Sequence, residues 1–205
     1  MRKSAFTMIE LVFVIVVLGI LASLAMGRMD RDLTQEASET VLSNIRLAQQ
    51  LALRDNKHTS ANLANWQRAY WRFEFDCTSE CNYKVGSDSD LGGTIEKLES
   101  AIDPVDGKYL FNDGSVDNEF SKNVLLQKKF GINTITASSG CTGSTSLAFD
   151  YLGRPYINID TATNSFSKIM NTDCNLTFGM MASDSFTVTI ISETGHAFIV
   201  GQPSL

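Results

Sequence analysis

A nearly unbroken apolar run close to the N-terminus constrains this 205-residue chain more than any other feature. Between Phe6 and Met26 the run is interrupted only by Thr7, Glu10, Gly19 and Ser23. About 20 helical residues, rising about 1.5 Å each, span the roughly 30 Å hydrocarbon core of a bilayer. The run is therefore long enough to cross a membrane as a helix. The basic residues Arg2 and Lys3 before it favour an N-terminus in the cytoplasm.

Glu10 is the one acidic side chain inside this run. A charge at the centre of an apolar span costs roughly 2 to 3 kcal/mol on insertion scales, and less near an end. A residue kept at such a cost is a functional candidate by default, and its carboxylate needs a cation to neutralise it.

The segment Ala5-Phe-Thr-Met-Ile-Glu10 resembles the N-terminal signature of type IV pilins and type II secretion pseudopilins. In that family a membrane aspartic peptidase removes a short basic leader before a Phe, and the new Phe amine is methylated. The resemblance implies cleavage between Ala5 and Phe6, N-methylation of Phe6, and Glu10 as fifth residue of the mature chain. Two positions depart from the pattern: Ala5 replaces the usual Gly, and Gly27 stands where many major pilins have a kinking Pro.

The resemblance also implies a role for Glu10 in subunit assembly. Cleavage would create a cationic amine at Phe6, about one helical turn from Glu10. The amine of a neighbouring subunit is then expected to pair with this carboxylate when subunits stack in a filament. Two other interpretations stay open: a secretory signal peptide cleaved after Ser23-Leu24-Ala25, and a plain N-terminal anchor. Glu10 inside the apolar region argues against the signal peptide.

An amphipathic pattern follows the apolar run. One helix face is predicted from apolar residues at spacings of three and four: Leu33, Ala37, Val41, Ile45, Ala48 and Ala52. No proline precedes Pro104, so both halves are predicted to form one rod to about Arg54, with Gly27 as its weak point. The predicted divisions are a leader (1–5), a transmembrane helix (6–26), an amphipathic helix (27–57) and a β-rich periplasmic domain (58–205).

Beyond Lys57 the sequence pattern becomes that of short strands. Trp71, Phe73 and Phe75 alternate with charged residues, which predicts a half-buried strand with a hairpin partner at 82–85. A short helix is predicted at 94–101, and further strands at 124–126, 132–136, 146–149, 156–159, 176–178, 186–191 and 197–200. The predicted fold class is α+β: a long N-terminal helix packed on an antiparallel, pilin-like sheet domain.

Two later stretches resemble the GspH/FimT branch, the minor H-type pseudopilins. Leu147–Pro155 resembles that branch's strand ending in Phe-x-x-x-Gly-Arg. Thr187–Ile191 and Gly195–Phe198 resemble its closing strand pair, with His196 where the branch often has Arg. Residues 86–120 match nothing in the family pattern and look like an insertion.

Four cysteines in an exported domain favour two disulfides. A Cys77–Cys81 bridge would clamp the tip of the predicted hairpin. The alternative, a metal site, is weak, because this Cys-x3-Cys pair has no partnering His or second Cys pair. Cys141 and Cys174 flank the Gly-Arg region. A bridge between them closes a loop of roughly 30 residues, worth about 3 to 4 kcal/mol on the chain-entropy relation.

The sequence gives little evidence for a metal site or for a catalytic site. Weak calcium candidates in the middle segment are Asp103, Asp106, Asp113 and Asp117, whose spacing matches no EF-hand. The two histidines, His58 and His196, lie on different predicted elements, and no nucleophile-elbow, P-loop, dinucleotide or zinc-protease motif occurs. We predict no cofactor, no small-molecule substrate and no enzymatic activity.

The net charge of the chain helps to distinguish a filament subunit from a nucleic-acid-binding protein. The formal charge is −6, and losing Arg2 and Lys3 with the leader leaves 15 basic against 23 acidic residues, or −8. Such a chain is a poor electrostatic match to nucleic acid. The resemblance implies a minor pseudopilin of a periplasmic pilus-like filament, in type II secretion or a related type IV pilus system. Its partners would be other pilins or pseudopilins, the prepilin peptidase and the bacterial inner membrane, which it would cross once.

The alternative function is a minor pilin that binds DNA for uptake in natural transformation. Relatives of that kind use a basic C-terminal surface, whereas the tail Gly201–Leu205 has no cation. A local basic patch is still conceivable from Lys122, Lys128, Lys129 and Arg154. A secreted enzyme is a third hypothesis, and it would require activity from the β-rich domain alone.

Overall fold

The computed structural model describes residues 7–58, 65–115, 117–160, 166–181 and 184–202, except for the side chains of residues 24–32. A single helix, α1 (Met8–Arg54), precedes the β-rich part of the chain. A short helix, α2 (Leu126–Phe130), lies between the second and third strands. The strands are β1 (Trp71–Asp76), β2 (Asn82–Gly86), β3 (Ile132–Ser139), β4 (Ser146–Phe149), β5 (Pro155–Ile157), β6 (Cys174–Met180), β7 (Ser185–Ile190) and β8 (Ala197–Ile199).

The strands form two four-stranded sheets, in the orders β2-β1-β4-β5 and β3-β6-β7-β8. All neighbouring strands in both sheets run antiparallel. The helix contacts strands of both sheets, namely β1, β2 and β4 in the first and β7 and β8 in the second. The predicted α+β class, with a long N-terminal helix on antiparallel sheets, is confirmed.

The C-terminal half of α1 buries the face that its sequence spacing predicts. Ala37, Val41, Ile45, Ala48 and Ala52 are all at most 1% exposed. They join one apolar core with residues of both sheets, such as Phe73, Phe149 and Phe178. Burial of apolar area on this scale is the main force that holds a helix to a sheet.

Two local predictions are wrong. Residues 124–126 do not form a strand; the 3-10 turn Lys122–Val124 and the start of α2 occupy this segment. Ser121 caps the turn by accepting a hydrogen bond from the Asn123 N–H, and Gly131, with φ of +71°, ends α2. The predicted helix at 94–101 is only a 3-10 turn, Lys97–Glu99. Short apolar runs do not distinguish a strand from a buried helical turn.

The Gly-Arg motif lies where α1 meets both sheets. Gln49 Nε2 donates to the carbonyl of Gly153 at 3.2 Å, in the loop after β4, and to that of Thr194 at 2.9 Å, in the loop after β7. Gly195 has φ of +68°, and a Cβ there would lie 2.2 Å from the Gly153 carbonyl oxygen. The close approach of these loops therefore requires glycine at position 195.

Asp150 organises the same motif from inside. Its carboxylate is fully buried and accepts from Arg154 Nε at 2.8 Å, and it also accepts from the backbone N–H groups of Leu152 and Arg154. The Arg154 guanidinium completes the ion pair at 2.7 Å. The arrangement gives the Phe-x-x-x-Gly-Arg pattern a structural role, because its charged residues satisfy one another.

Candidate assembly surface of the N-terminal helix

The first turn of α1 is closed by a reciprocal pair of side chains. Thr7 Oγ1 accepts from the Glu10 N–H at 3.4 Å. Glu10 Oε2 accepts from the Thr7 N–H at 3.1 Å and from the Thr7 hydroxyl at 2.9 Å. This capping box satisfies two donors that the helix itself leaves unpaired. Ala5 and Phe6, the predicted cleavage and methylation positions, lie outside the described residues.

From Met8 to Leu21 the helix exposes large apolar side chains on every side, and none of them is buried by another residue that the structure describes. The exposed large apolar side chains are Met8, Ile9, Leu11, Val12, Phe13, Val14, Ile15, Val16, Val17, Leu18, Ile20 and Leu21. Even the least exposed of them, Val17, is 37% accessible. A helix with apolar residues all round belongs in apolar surroundings, either lipid or a bundle of other helices.

From Leu33 onward the same helix is part of the folded domain, so α1 has two chemically different halves. Polar contacts add to the apolar packing of the second half. Asn44 Nδ2 donates to the buried Tyr83 hydroxyl at 2.7 Å. Arg46 donates to the Ala197 carbonyl of β8 through Nε at 3.1 Å and Nη2 at 2.8 Å.

These polar contacts are not evident from the sequence. Arg46 and Gln49 lie off the apolar face, a position that is typical of solvent-facing side chains. Both reach past the edge of that face to carbonyls of the sheet domain. The only signal in the sequence is that long donor side chains sit next to the apolar stripe.

Both predicted disulfides are present. Cys77–Cys81 closes the β1–β2 hairpin, with Cα atoms 4.0 Å apart. Cys141–Cys174 joins the end of β3 to the start of β6, with Cα atoms 5.1 Å apart and a sequence separation of 33. All four cysteines are therefore used in cross-links.

The four weak calcium candidates do not converge. Asp103 Oδ2 and Asp106 Oδ2 each lie 2.8 Å from the Ser121 hydroxyl, which can donate its single proton to either, whereas Asp113 accepts from the Ser115 N–H at 2.9 Å. Asp117 binds the Lys97 ammonium at 2.8 Å, and this hydrogen bond holds the pKa of Asp117 below its usual value. These four carboxylates serve turns and an ion pair.

The other candidates also have structural neighbours. The His58 ring packs edge-on against Trp66 at 4.7 Å, and the His196 ring stacks on Phe198 at 6.1 Å. Three cations of the candidate basic patch are held in ion pairs: Lys128 with Glu80, Lys129 with Glu36, and Arg154 with Asp150. Each carboxylate neutralises a cation that would otherwise be free to bind the phosphate groups of DNA.

Within the residues that the structure describes, no helix combines the length and the apolar character that a membrane span requires. Residues 1–26 match the family described as the prokaryotic N-terminal methylation motif. Neither the curated proteins nor the solved structures give a match to this chain. The motif points to a structural subunit, and the helix that bears it packs on an α+β domain. The chain therefore carries the N-terminal signature of type IV pilins and pseudopilins.

Proposed function

We propose that the chain is a minor pseudopilin of the GspH/FimT type. It serves as a structural subunit of a periplasmic pilus-like filament, in type II secretion or a related type IV pilus system. The observation that carries the proposal is the exposed apolar stretch Met8–Leu21, which continues as one helix into a folded domain. Such a stretch needs lipid before assembly and the helices of other subunits after it.

The apolar run 6–26 is the membrane anchor in this proposal. Arg2 and Lys3 keep the N-terminus in the cytoplasm, so the domain lies in the periplasm. Two disulfides in the domain support an oxidising compartment, because cytosolic reductants keep most thiols reduced. The prepilin peptidase cuts between Ala5 and Phe6, and the exposed amine of Phe6 is then methylated.

Glu10 gains a partner during assembly. In the single chain its Oε2 atom accepts from Thr7, which offsets part of the cost of a carboxylate in an apolar run. A carboxylate has about four lone-pair sites, so it can accept a further cationic donor without losing the cap. The Phe6 amine of a neighbouring subunit is that donor.

Subunit incorporation tests this role of Glu10. The Glu10→Ala variant should stay in the membrane fraction, because removing a charge favours the apolar surroundings. Its co-purification with partner pilins should fall by roughly 10- to 100-fold, since a hydrogen bond to a charged group contributes about 1.5 to 3 kcal/mol.

The matched control is Glu39→Ala, which removes an exposed carboxylate from the domain half of the same helix. It should co-purify as the wild-type chain does. Undiminished co-purification of Glu10→Ala would show that charge pairing at this position does not drive assembly.

The alternative, DNA capture for uptake, has weaker support. The chain has a net charge of −6, and three of the four candidate patch cations are already paired with carboxylates. Affinity for nucleic acid rises with the number of phosphates that free Lys and Arg neutralise. The proposed function therefore remains assembly with other pilin subunits.

A further inference from the structure

The loop that follows β2 gathers three carboxylates. Asp88, Asp90 and Glu99 each offer one oxygen, and these oxygens all lie within 4.8 Å of one another. No other group of three His, Cys, Asp or Glu side chains converges in this way among the described residues. Like charges at this separation repel one another, so a positive charge between them would be strongly favoured.

Asp88 adds an observation that is independent of the clustering. Its side chain is fully buried, and its Oδ2 atom accepts from the Gly93 N–H at 2.9 Å. Its Oδ1 atom is also buried but accepts no hydrogen bond from any described residue. A buried carboxylate oxygen without a donor is costly. Oδ1 therefore lacks the donor that Oδ2 has, in a side chain that belongs to the three-carboxylate cluster.

The nearby cation Arg72 does not fill this place. The Arg72 side chain is fully buried, and its Nη1 atom lies 3.9 Å from Asp88 Oδ2, which is beyond hydrogen-bond distance. This contact is also with Oδ2 and not with the donorless Oδ1 atom. Arg72 Nε donates to Glu74 Oε2 at 3.1 Å, and Nη1 donates to the Arg68 carbonyl at 3.0 Å. The guanidinium is therefore engaged elsewhere, and the donorless oxygen of Asp88 keeps its need for a partner.

Backbone groups hold the other two carboxylates in position. Glu99 Oε1 accepts from the N–H groups of Ser89 at 2.6 Å and Asp90 at 3.1 Å, and Asp90 Oδ1 accepts from the Gly92 N–H at 2.8 Å. These contacts orient the carboxylates and leave lone pairs on their oxygens. Asp90 is exposed, so an ion from solution can reach the cluster.

We infer that Asp88, Asp90 and Glu99 form a calcium-binding site. Ca²⁺ takes about six to eight oxygen ligands in flexible geometry, which suits carboxylates on an irregular loop with water in the remaining positions. Mg²⁺ demands near-octahedral geometry and gives up its waters reluctantly, so it fits this loop less well. A bound ion would give the buried Asp88 Oδ1 atom the partner that it lacks among the described residues. The site is separate from the four aspartates that the sequence singles out, and from the filament contacts of α1.

Calcium-dependent stability of the purified full-length chain in detergent tests the site. Exported calcium modules bind with Kd of about 10⁻⁴ to 10⁻³ M, so 10 mM CaCl₂ should raise Tm by roughly 3 to 10 °C over the chelator-treated chain. Asp90→Asn removes one exposed ligand charge without emptying the core, and it should abolish most of this shift. Asp113→Asn, an equal charge change on another exposed turn, should keep the full shift.

Isothermal titration with CaCl₂ gives a second readout, with one ion per wild-type chain and none per Asp90→Asn chain expected. A wild-type Tm that ignores CaCl₂, or an Asp90→Asn shift equal to the wild-type shift, would overturn the site. An equal shift with 10 mM MgCl₂ would overturn the assignment to calcium.

Discussion

Gln49 connects three parts of the molecule through one side-chain amide. Its Nε2 atom donates to carbonyls in two loops that leave different sheets, so the amide ties the helix to both at once. The neighbouring glycines at 153 and 195 leave the room that this contact needs, since a Cβ on Gly195 would lie 2.7 Å from Gln49 Nε2. The Gly-Arg motif and the helix are therefore parts of one contact.

Replacement of Gln49 by Ala should destabilise the chain by about 1 to 3 kcal/mol, because two carbonyls lose their donor. In thermal unfolding this corresponds to a fall in Tm of roughly 2 to 10 °C. Gln50→Ala on the exposed side of the same turn is the control and should change Tm by much less. Equal effects of the two substitutions would contradict the role of Gln49.

The two disulfides cross-link different elements and close loops of very different length. Cys141–Cys174 encloses the whole segment between β3 and β6, with a sequence separation of 33. Cys77–Cys81 encloses only the hairpin turn, with a separation of 4. Loop-closure entropy in the unfolded chain grows with loop length, so the longer cross-link should stabilise more.

Replacement of both cysteines of each pair by Ser tests this order. Loss of Cys141–Cys174 should lower the free energy of unfolding by about 4 kcal/mol, and loss of Cys77–Cys81 by about 2 kcal/mol. Denaturant unfolding of the two double variants measures both values under the same conditions. A larger loss for the hairpin pair would contradict the loop-length argument.

Elements with strong periodicity are the ones that the sequence predicts well. The buried face of α1 and the alternating strand β1 both follow from spacing alone, because core contact repeats every three or four residues in a helix and every two in a strand. Val124 and Leu126 are buried in the structure, yet they belong to helical turns. Three apolar residues are too few to define a period.

For the molecule as a whole, the sequence predicts an α+β class but not the division into two sheets. Phe73 in β1 pairs with Leu147 in β4, about seventy positions along the chain, and no local pattern encodes this partner. The calcium cluster escapes prediction for a similar reason. Asp88 and Asp90 lie in a segment, 86–120, that matches nothing in the family pattern, and Glu99 joins them through the fold of the intervening loop.

Filament assembly through α1 depends on the residue at which the mature chain begins. Processing at the signature leaves the apolar half of α1 attached to the domain, with Glu10 near a new amine. A signal-peptide cut after Ala25 would instead remove both the apolar half and Glu10, and no filament could form through them.

Mass spectrometry of the protein isolated from cell envelopes decides between these outcomes. We expect an N-terminal peptide that begins at Phe6 and carries one methyl group on its amine. An N-terminus immediately after Ala25 would contradict it.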